Sequence, residues 1–275
     1  MKNNFAGLFM STVAVVEFKN YTQSIPVALE LAGAEKILPQ ASTIILKPNL
    51  TNSSPPPVTT SVKMVEAVYA YCVRQTKAKI IIGEGCGSGN TFDIFKELGY
   101  TALAEKYKIE LVDFNEADAV LLENKNALQL KQLYLPKIVL DAFIISMPVL
   151  KDHSFTGTTV AMKNMFGLAP GKHYKIGWNK SKLHSPSTDK SVVDVCMYKK
   201  PGLCIVDASV ALAGMHLSGT EKKIGKLIAG SDCVAVDAVA SQMLGHKPQD
   251  LEYLAEANGL LGDMKNINII KGQAL

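Results

Sequence analysis

An α/β fold, with a mostly parallel sheet and helices on both of its faces, is what three features of this 275-residue chain predict. Short β-branched runs bounded by turn residues alternate with segments of helical periodicity, the pattern that feeds a parallel sheet. Several of those runs are apolar throughout and too short for helices, as strands buried on both faces should be. Apolar residues make up 48% of the chain, enough to bury a large core without covalent staples. Together these describe a Rossmann-like three-layer sandwich, and one α/β domain over 1–275 accommodates it.

Taken in order, TVAVVEF (12–18) reads as the first strand. A rival reading joins Lys2 to the mostly apolar stretch from Phe5 to Val16 as a secretory signal. Glu17 and Lys19 follow at once and no small-x-small cleavage site is convincing, so the strand is preferred. SIPVALELAGAEKIL (24–38) then has helical spacing, STIILKPNL (42–50) returns to strand, SVKMVEAVYAYCVRQ (61–75) is helical and KIIIGEG (79–85) is strand. IELVDF (109–114), AFIISMPVL (142–150) and GLCIVDAS (202–209) continue the sheet. Between them, around 115–140, the alternating ALQLKQLYLP (127–136) predicts a small inserted hairpin or lobe. GKLIAGSDCVAVDAVASQMLG (225–245) is a strand and a helix capped near Ser231 or Asp232. A helix around 249–258 and a last strand NINII (266–270) close the pattern.

Composition excludes several functions. The five cysteines are odd in number and include no C-x-x-C pair, which argues against a disulfide framework, a zinc ribbon and an iron–sulfur cluster, and for a reducing cytoplasm. No apolar run approaches the roughly 20 residues of a membrane span, so no membrane partner is expected. The basic balance rests on lysine, with Arg74 the sole arginine, and no aromatic residues interleave with it. Nucleic-acid readers rely on arginine forks and stacking platforms, so a small anionic molecule is the expected partner and a nucleic acid is not. Homo-oligomerisation stays open.

Candidate chemistry clusters in 151–184, where six lysines and three of the five histidines meet one acid, Asp152, directly behind a buried strand. Carboxyl ends of strands are where α/β proteins place ligands. Lys47 and Asn49 end one strand before a loop stiffened by Pro55, Pro56 and Pro57, a suitable binding wall, and Thr59, Thr60 and Ser61 stand where a helix would cap itself. Gly83, Gly85, Gly87 and Gly89 lie between a strand and a helix; close glycines let backbone N–H groups line an anion concavity, with Glu84 as the one charge there. The spacing is neither that of a dinucleotide fingerprint nor of a Walker loop. Gly157, Thr158 and Thr159 suggest a helix start between His153 and Lys163, with Asn164 near its end, and Lys172 to His184 a loop able to close over a ligand. Asp207 is placed at a strand end, Asp232 as a helix cap, Asp237 inside a helix, Asp194 on a helix surface and Cys196 in the core; Cys86 is the one thiol worth testing for reactivity.

The series ILKPNL, IIIGEG, VDFNE, AFIISMPVLKDHSFTGTTVAMKNMFG, His184, IVDAS and IAGSDCVAVDAVA resembles the domain-of-unknown-function family numbered 362, over about 46–244. Many members of that family carry a ferredoxin-like module with cysteine clusters, which this chain lacks. The chain is also similar, more distantly, to the catalytic domain of nickel-pincer lactate racemases. These set a histidine ten residues before a cofactor-bearing lysine and another histidine further on, which implies His153, Lys163 and His184 here. The second interval, 21 residues, is longer than in the racemases, and the earlier loop that supplies them another histidine is here Gly83 to Asn90.

The expected function is an enzyme acting on a small carboxylate or phosphate at the carboxyl edge of the sheet. Lys47 and Lys151 would clamp the anion, with Asn49, Gly83, Glu84, Gly85, Thr158, Thr159 and Asn164 around it. His153 and His184 would act as acid, base or metal ligands, and Lys163, its pKa lowered by neighbouring cations, as nucleophile, base or cofactor anchor. A divalent metal or a lysine-linked cofactor stays open. The competing class is a non-catalytic anion- or metal-binding module.

Overall fold

The computed structural model describes residues 10–274. The part of the signal-like reading that falls on residues 2–9 lies outside them. The chain runs through β1 (Ser11–Glu17), α1 (Tyr21–Leu31), α2 (Ala34–Ile37), β2 (Ile44–Pro48), α3 (Val62–Gln75), β3 (Ile80–Glu84), α4 (Thr91–Glu97), α5 (Tyr100–Tyr107) and β4 (Glu110–Asp113). It continues through β5 (Ala119–Glu123), β6 (Gln132–Pro136), α6 (Lys137–Leu140), β7 (Phe143–Met147), β8 (Val149–His153), β9 (Gly157–Thr159), α7 (Ala161–Asn164), α8 (Gly171–Tyr174) and α9 (Thr188–Tyr198). The last elements are β10 (Leu203–Ala213), β11 (Thr220–Gly230), α10 (Cys233–Leu244), α11 (Glu252–Ala257) and β12 (Ile267–Gln273).

The main sheet has the order β12-β1-β11-β10-β7-β2-β3-β4, with β8 and β9 beside β10. Only β11 runs antiparallel to its neighbours along that path, and β8 with β9 forms a small antiparallel pair. β5 and β6 make the separate hairpin sheet expected between 115 and 140. Successive residues of the central strands face opposite layers. Ile45 and Ile81 join one core with α7, α9 and α10, whereas Ile44, Leu46 and Ile82 join the other with α1 and α3. Both faces are therefore covered, which is why these strands read as unbroken apolar runs.

Local chemistry fixes the element ends. Asn20, Ser61, Asn90, Ser187 and Asp232 cap α1, α3, α4, α9 and α10 through their side chains, each accepting a backbone N–H of the first turn. Three expectations are corrected. The Gly157–Thr159 segment is a strand paired with β8, because Lys151 and His153 face Thr159 and Gly157 across a tight turn; the helix starts only at Ala161. Asp207 does not end its strand, since β10 runs on to Ala213 through a register shift in its pairing with β11. Asp194 is not a surface residue: it is fully buried and accepts the backbone N–H groups of Leu128, Gln129 and Leu130, pinning the hairpin lobe to α9.

Chain order decides where a crevice opens. From β2 the chain moves outward to β3 and β4, then returns to β7 on the opposite side of β2. The carboxyl ends of β2 and β7 thus diverge into their loops, leaving the switch-point crevice where open α/β sheets bind ligands.

Candidate functional site

A cavity of about 310 Å³ occupies that crevice. Lys47 and Asn49 come from the end of β2, Glu84 and Gly85 from β3, Lys151 and His153 from β8. Lys163 and Asn164 arrive on α7, Lys180 and His184 on the segment before α9, and His216 on the turn joining β10 to β11. Four lysines and one carboxylate, Glu84, line it, so its formal charge is strongly positive.

The four ammonium groups are not equivalent. Lys47 Nζ donates to both carboxylate oxygens of Glu84, to Asn164 Oδ1 and to Pro48 O, all at 3.0 Å. Its protons are fully used, and the Glu84 carboxylate is held further by the N–H groups of Leu50 and Gly85. Burial pushes the Lys47 pKa down and that of Glu84 up, each opposed by the charge of the other. Lys180 Nζ reaches Gly85 O, Cys86 O and Asn115 Oδ1, and burial lowers it to about 8. Lys151 Nζ has two acceptors at 2.7 Å, Asn49 Oδ1 and Val58 O of the proline loop, and burial lowers it to about 7. Lys163 has neither a hydrogen-bond acceptor nor an ion-pair partner among the described residues. Its Nζ sits 3.8 Å from the Phe166 ring centre, and burial, followed by the charges of Lys151, Lys180 and Lys47, lowers it to about 7.

The histidines divide as donor and acceptor. His153 Nδ1 accepts the Phe155 N–H at 3.1 Å, which assigns the ring hydrogen to Nε2. Burial and then the charge of Lys163 press its pKa to about 2, so it is neutral. His184 Nδ1 lies 3.2 Å from the Lys180 carbonyl, to which it donates, leaving a lone pair on Nε2; burial and then Lys163 lower it to about 4. The His184 ring is packed among Phe155, Phe166 and Trp178. His216 stacks on His153 with ring centres 4.2 Å apart, and its buried Nδ1 has no hydrogen-bond partner among the described residues.

Helix α7 owes its position to α10. No side chain from its own N-cap satisfies its first N–H groups; Asp237 does so from across the core, accepting from Ala161 N at 2.8 Å and Met162 N at 3.2 Å. Tyr253 also donates to Asp237, and burial raises the Asp237 carboxyl to about 8. Gly167 lets the following turn approach the charged pair: a Cβ there would lie 2.1 Å from Glu84 Oε1 and 2.5 Å from Lys47 Nζ.

Of the residues singled out in the sequence, Lys47, Asn49, Glu84, Gly85, Lys151, His153, Thr159, Lys163, Asn164 and His184 line the one cavity. Gly83 and Thr158 do not. Gly83 backs onto Phe114, whose ring a Cβ would meet at 2.2 Å, so its role is packing and not an anion concavity. Thr158, one residue out of phase with Thr159, bonds Tyr253 Oη at 3.0 Å on the other side of the strand. The segment from Lys172 to His184 takes in the end of α8 and is tied down where Asn179 and Lys180 bond the glycine loop. Cys86 is buried, and burial pushes its thiol up, which disfavours the thiolate. Sequence reading missed Lys180, His216, Trp178 and Phe155. His173, counted with the other histidines of that segment, stacks on Tyr134 and is not among the residues that line the cavity.

A metal held by protein side chains alone does not fit. No group of three or more His, Cys, Asp or Glu among the described residues is close enough to share an ion. His153 in its assigned tautomer also presents N–H, not a lone pair, at Nε2. No helix among the described residues is long and apolar enough to cross a membrane.

The solved structure of the lactate racemase apoprotein from Thermoanaerobacterium thermosaccharolyticum shares this fold, with a TM-score of 0.56 at 13% identity over 83% of this chain. The match spans 56% of that longer protein. The thylakoid-associated protein sll1697 of Synechocystis is 27% identical over 232 residues, covering 82% of this chain and 70% of the relative. Residues 44–242, from β2 through most of α10, match the family described as Domain of unknown function (DUF362), and the chain belongs to that family.

Proposed function

We propose that the protein is an enzyme that holds a small carboxylate- or phosphate-bearing molecule on the Lys163 ammonium and moves protons on it with His184 and His153. The observation that carries this reading is the contrast among the cavity lysines. Lys47 and Lys180 are saturated by internal acceptors, Lys151 nearly so, and Lys163 alone lacks an anion or carbonyl. A bound anion would supply that acceptor. It would also cancel the repulsion that helps to keep His184 neutral, so His184 Nε2 becomes a better base once the ligand is in place. His153 Nε2–H supplies the complementary donor. Lactate, named for the fold relative, is a molecule of this class.

The test is thermal stabilisation of the protein by inorganic phosphate and by small carboxylates, with wild type beside Lys163→Gln, at low and high ionic strength. The expected result is a rise in Tm for wild type that shrinks as salt increases and is absent in Lys163→Gln. Equal stabilisation of both proteins moves the anion elsewhere. Intact mass of the purified protein completes the test, because an adduct on Lys163 would make that lysine a cofactor anchor and not an anion ligand.

A further inference from the structure

The cavity is larger than a two- or three-carbon acid needs, and its outer half has a different chemistry from its inner half. The lysines lie inside. At the mouth stand Phe155, Trp178 and Leu217, contributed by the β8–β9 turn, the segment before α9 and the β10–β11 turn. Although they line the cavity, they are 56%, 52% and 41% exposed. Leu50 and the Phe166 ring continue the apolar wall inward toward Lys163.

Exposing a Trp, a Phe and a Leu side by side leaves apolar area in water that a ligand would remove, worth roughly 25 cal/mol per Å². At about 30 Å³ per water, a cavity of about 310 Å³ has room for about ten waters, so a ligand of a few heavy atoms at Lys163 would leave most of it wet. The aromatic rings are held in place: Phe155 and Trp178 both pack edge-on against His184, and Phe155 also against His153. They form a funnel continuous with the charged floor.

Resting on the assignment of the anionic group to Lys163, we infer that the substrate is amphiphilic: a carboxylate or phosphate head carrying an apolar or aromatic body that fills the mouth between Phe155, Trp178 and Leu217. The residues at the mouth then determine specificity, and the floor determines charge. A wide protein partner fits less well, because these side chains surround a cavity opening and do not form a flat face of the roughly 800 Å² that a stable interface buries on each side.

The experiment is calorimetric titration of straight-chain carboxylates from acetate to octanoate, below micelle-forming concentrations, with inorganic phosphate as the head-only probe. Emission of Trp178, the one tryptophan of the chain, gives a second readout. Wild type should bind about fourfold more tightly for each methylene buried, and its Trp178 emission should shift to the blue with the longer acids only. In Phe155→Ala/Leu217→Ala the gain per methylene should fall by half or more; both side chains are exposed, and an unchanged Tm shows that the variant is folded. Affinity that is flat along the series, with phosphate still bound in a Lys163-dependent way, overturns the amphiphile while leaving the anion site intact. Failure of both phosphate and acetate to bind overturns the anion site itself. A chain-length gain that survives intact in the double variant places the apolar body elsewhere and overturns the assignment.

Discussion

At the scale of single residues, the site is a problem of protons. Lys163 and Lys151 are held near 7 in the folded protein against an ordinary value of 10.5. An anion needs the ammonium form, so above neutrality binding must bring a proton with it. We predict that anion affinity falls by up to tenfold per pH unit between about 7 and 9, and that the calorimetric enthalpy varies with the ionisation enthalpy of the buffer. A binding enthalpy independent of buffer would show that no lysine is charged on binding. The same shift has a stability sign. Between about 7 and 10.5 the unfolded chain binds more protons than the folded one, so these lysines make the protein more stable as pH rises through that window. Lys163→Met should therefore raise Tm more at pH 6, where the desolvated charge is fully present, than at pH 10.

At the scale of elements, the short helix α7 is what delivers Lys163 and Asn164, and four residues cannot hold themselves helical. Its first N–H groups depend on Asp237 of α10. Asp237→Ala leaves the Ala161 and Met162 N–H groups without partners, and the Tyr253 hydroxyl with Thr158 alone, and should cost about 2–5 kcal/mol in denaturant unfolding. Asp237→Asn, which keeps one acceptor oxygen, should cost less. A loss below about 0.5 kcal/mol for the alanine variant would show that α7 keeps its place without the cap. The β10–β11 turn is fixed in a similar way: Asp152 on β8 accepts the Gly214 N–H and also the ring of His246. His216 is thus carried to His153 by a contact between elements far apart in sequence.

At the scale of the molecule, the family match begins at residue 44, yet β1 lies between β11 and β12 in the sheet and α1 covers one face through Ile25, Ala28 and Leu29. Removing residues 1–43 would expose the edge of β11 and take from one core the side chains that β1, α1 and α2 bury there. The 44–275 fragment is accordingly expected to show no cooperative melt by far-UV circular dichroism, whereas the full chain unfolds in one transition. A sharp transition for the fragment would make the N-terminal strand and helix an appendage.

The sequence by itself determined the elements. Apolar runs in β2, β3, β7 and β10 announced strands with two buried faces, Ser61 and Asp232 announced helix starts, and the alternation in 127–136 announced the hairpin, because each signal is set by neighbours within a few residues. It also placed His153, Lys163 and His184 near one sheet edge, since the strand that precedes them leads there. Only the tertiary structure decided which groups meet and in which state. Lys47 looks like a free clamp until β3 brings Glu84 beside it; Lys180 looks like a solvated flap residue until the glycine loop and Asn115 take its protons. His216 carried no local signal, its ring being stacked on one more than sixty residues away; Asp237 stood out in the sequence as an acid inside a helix, but its partners on α7 did not, and Lys163 became the lysine left without an acceptor only after the others were satisfied. Burial and hydrogen-bond partners are properties of the packed chain, and they, more than residue type, determine where a proton sits.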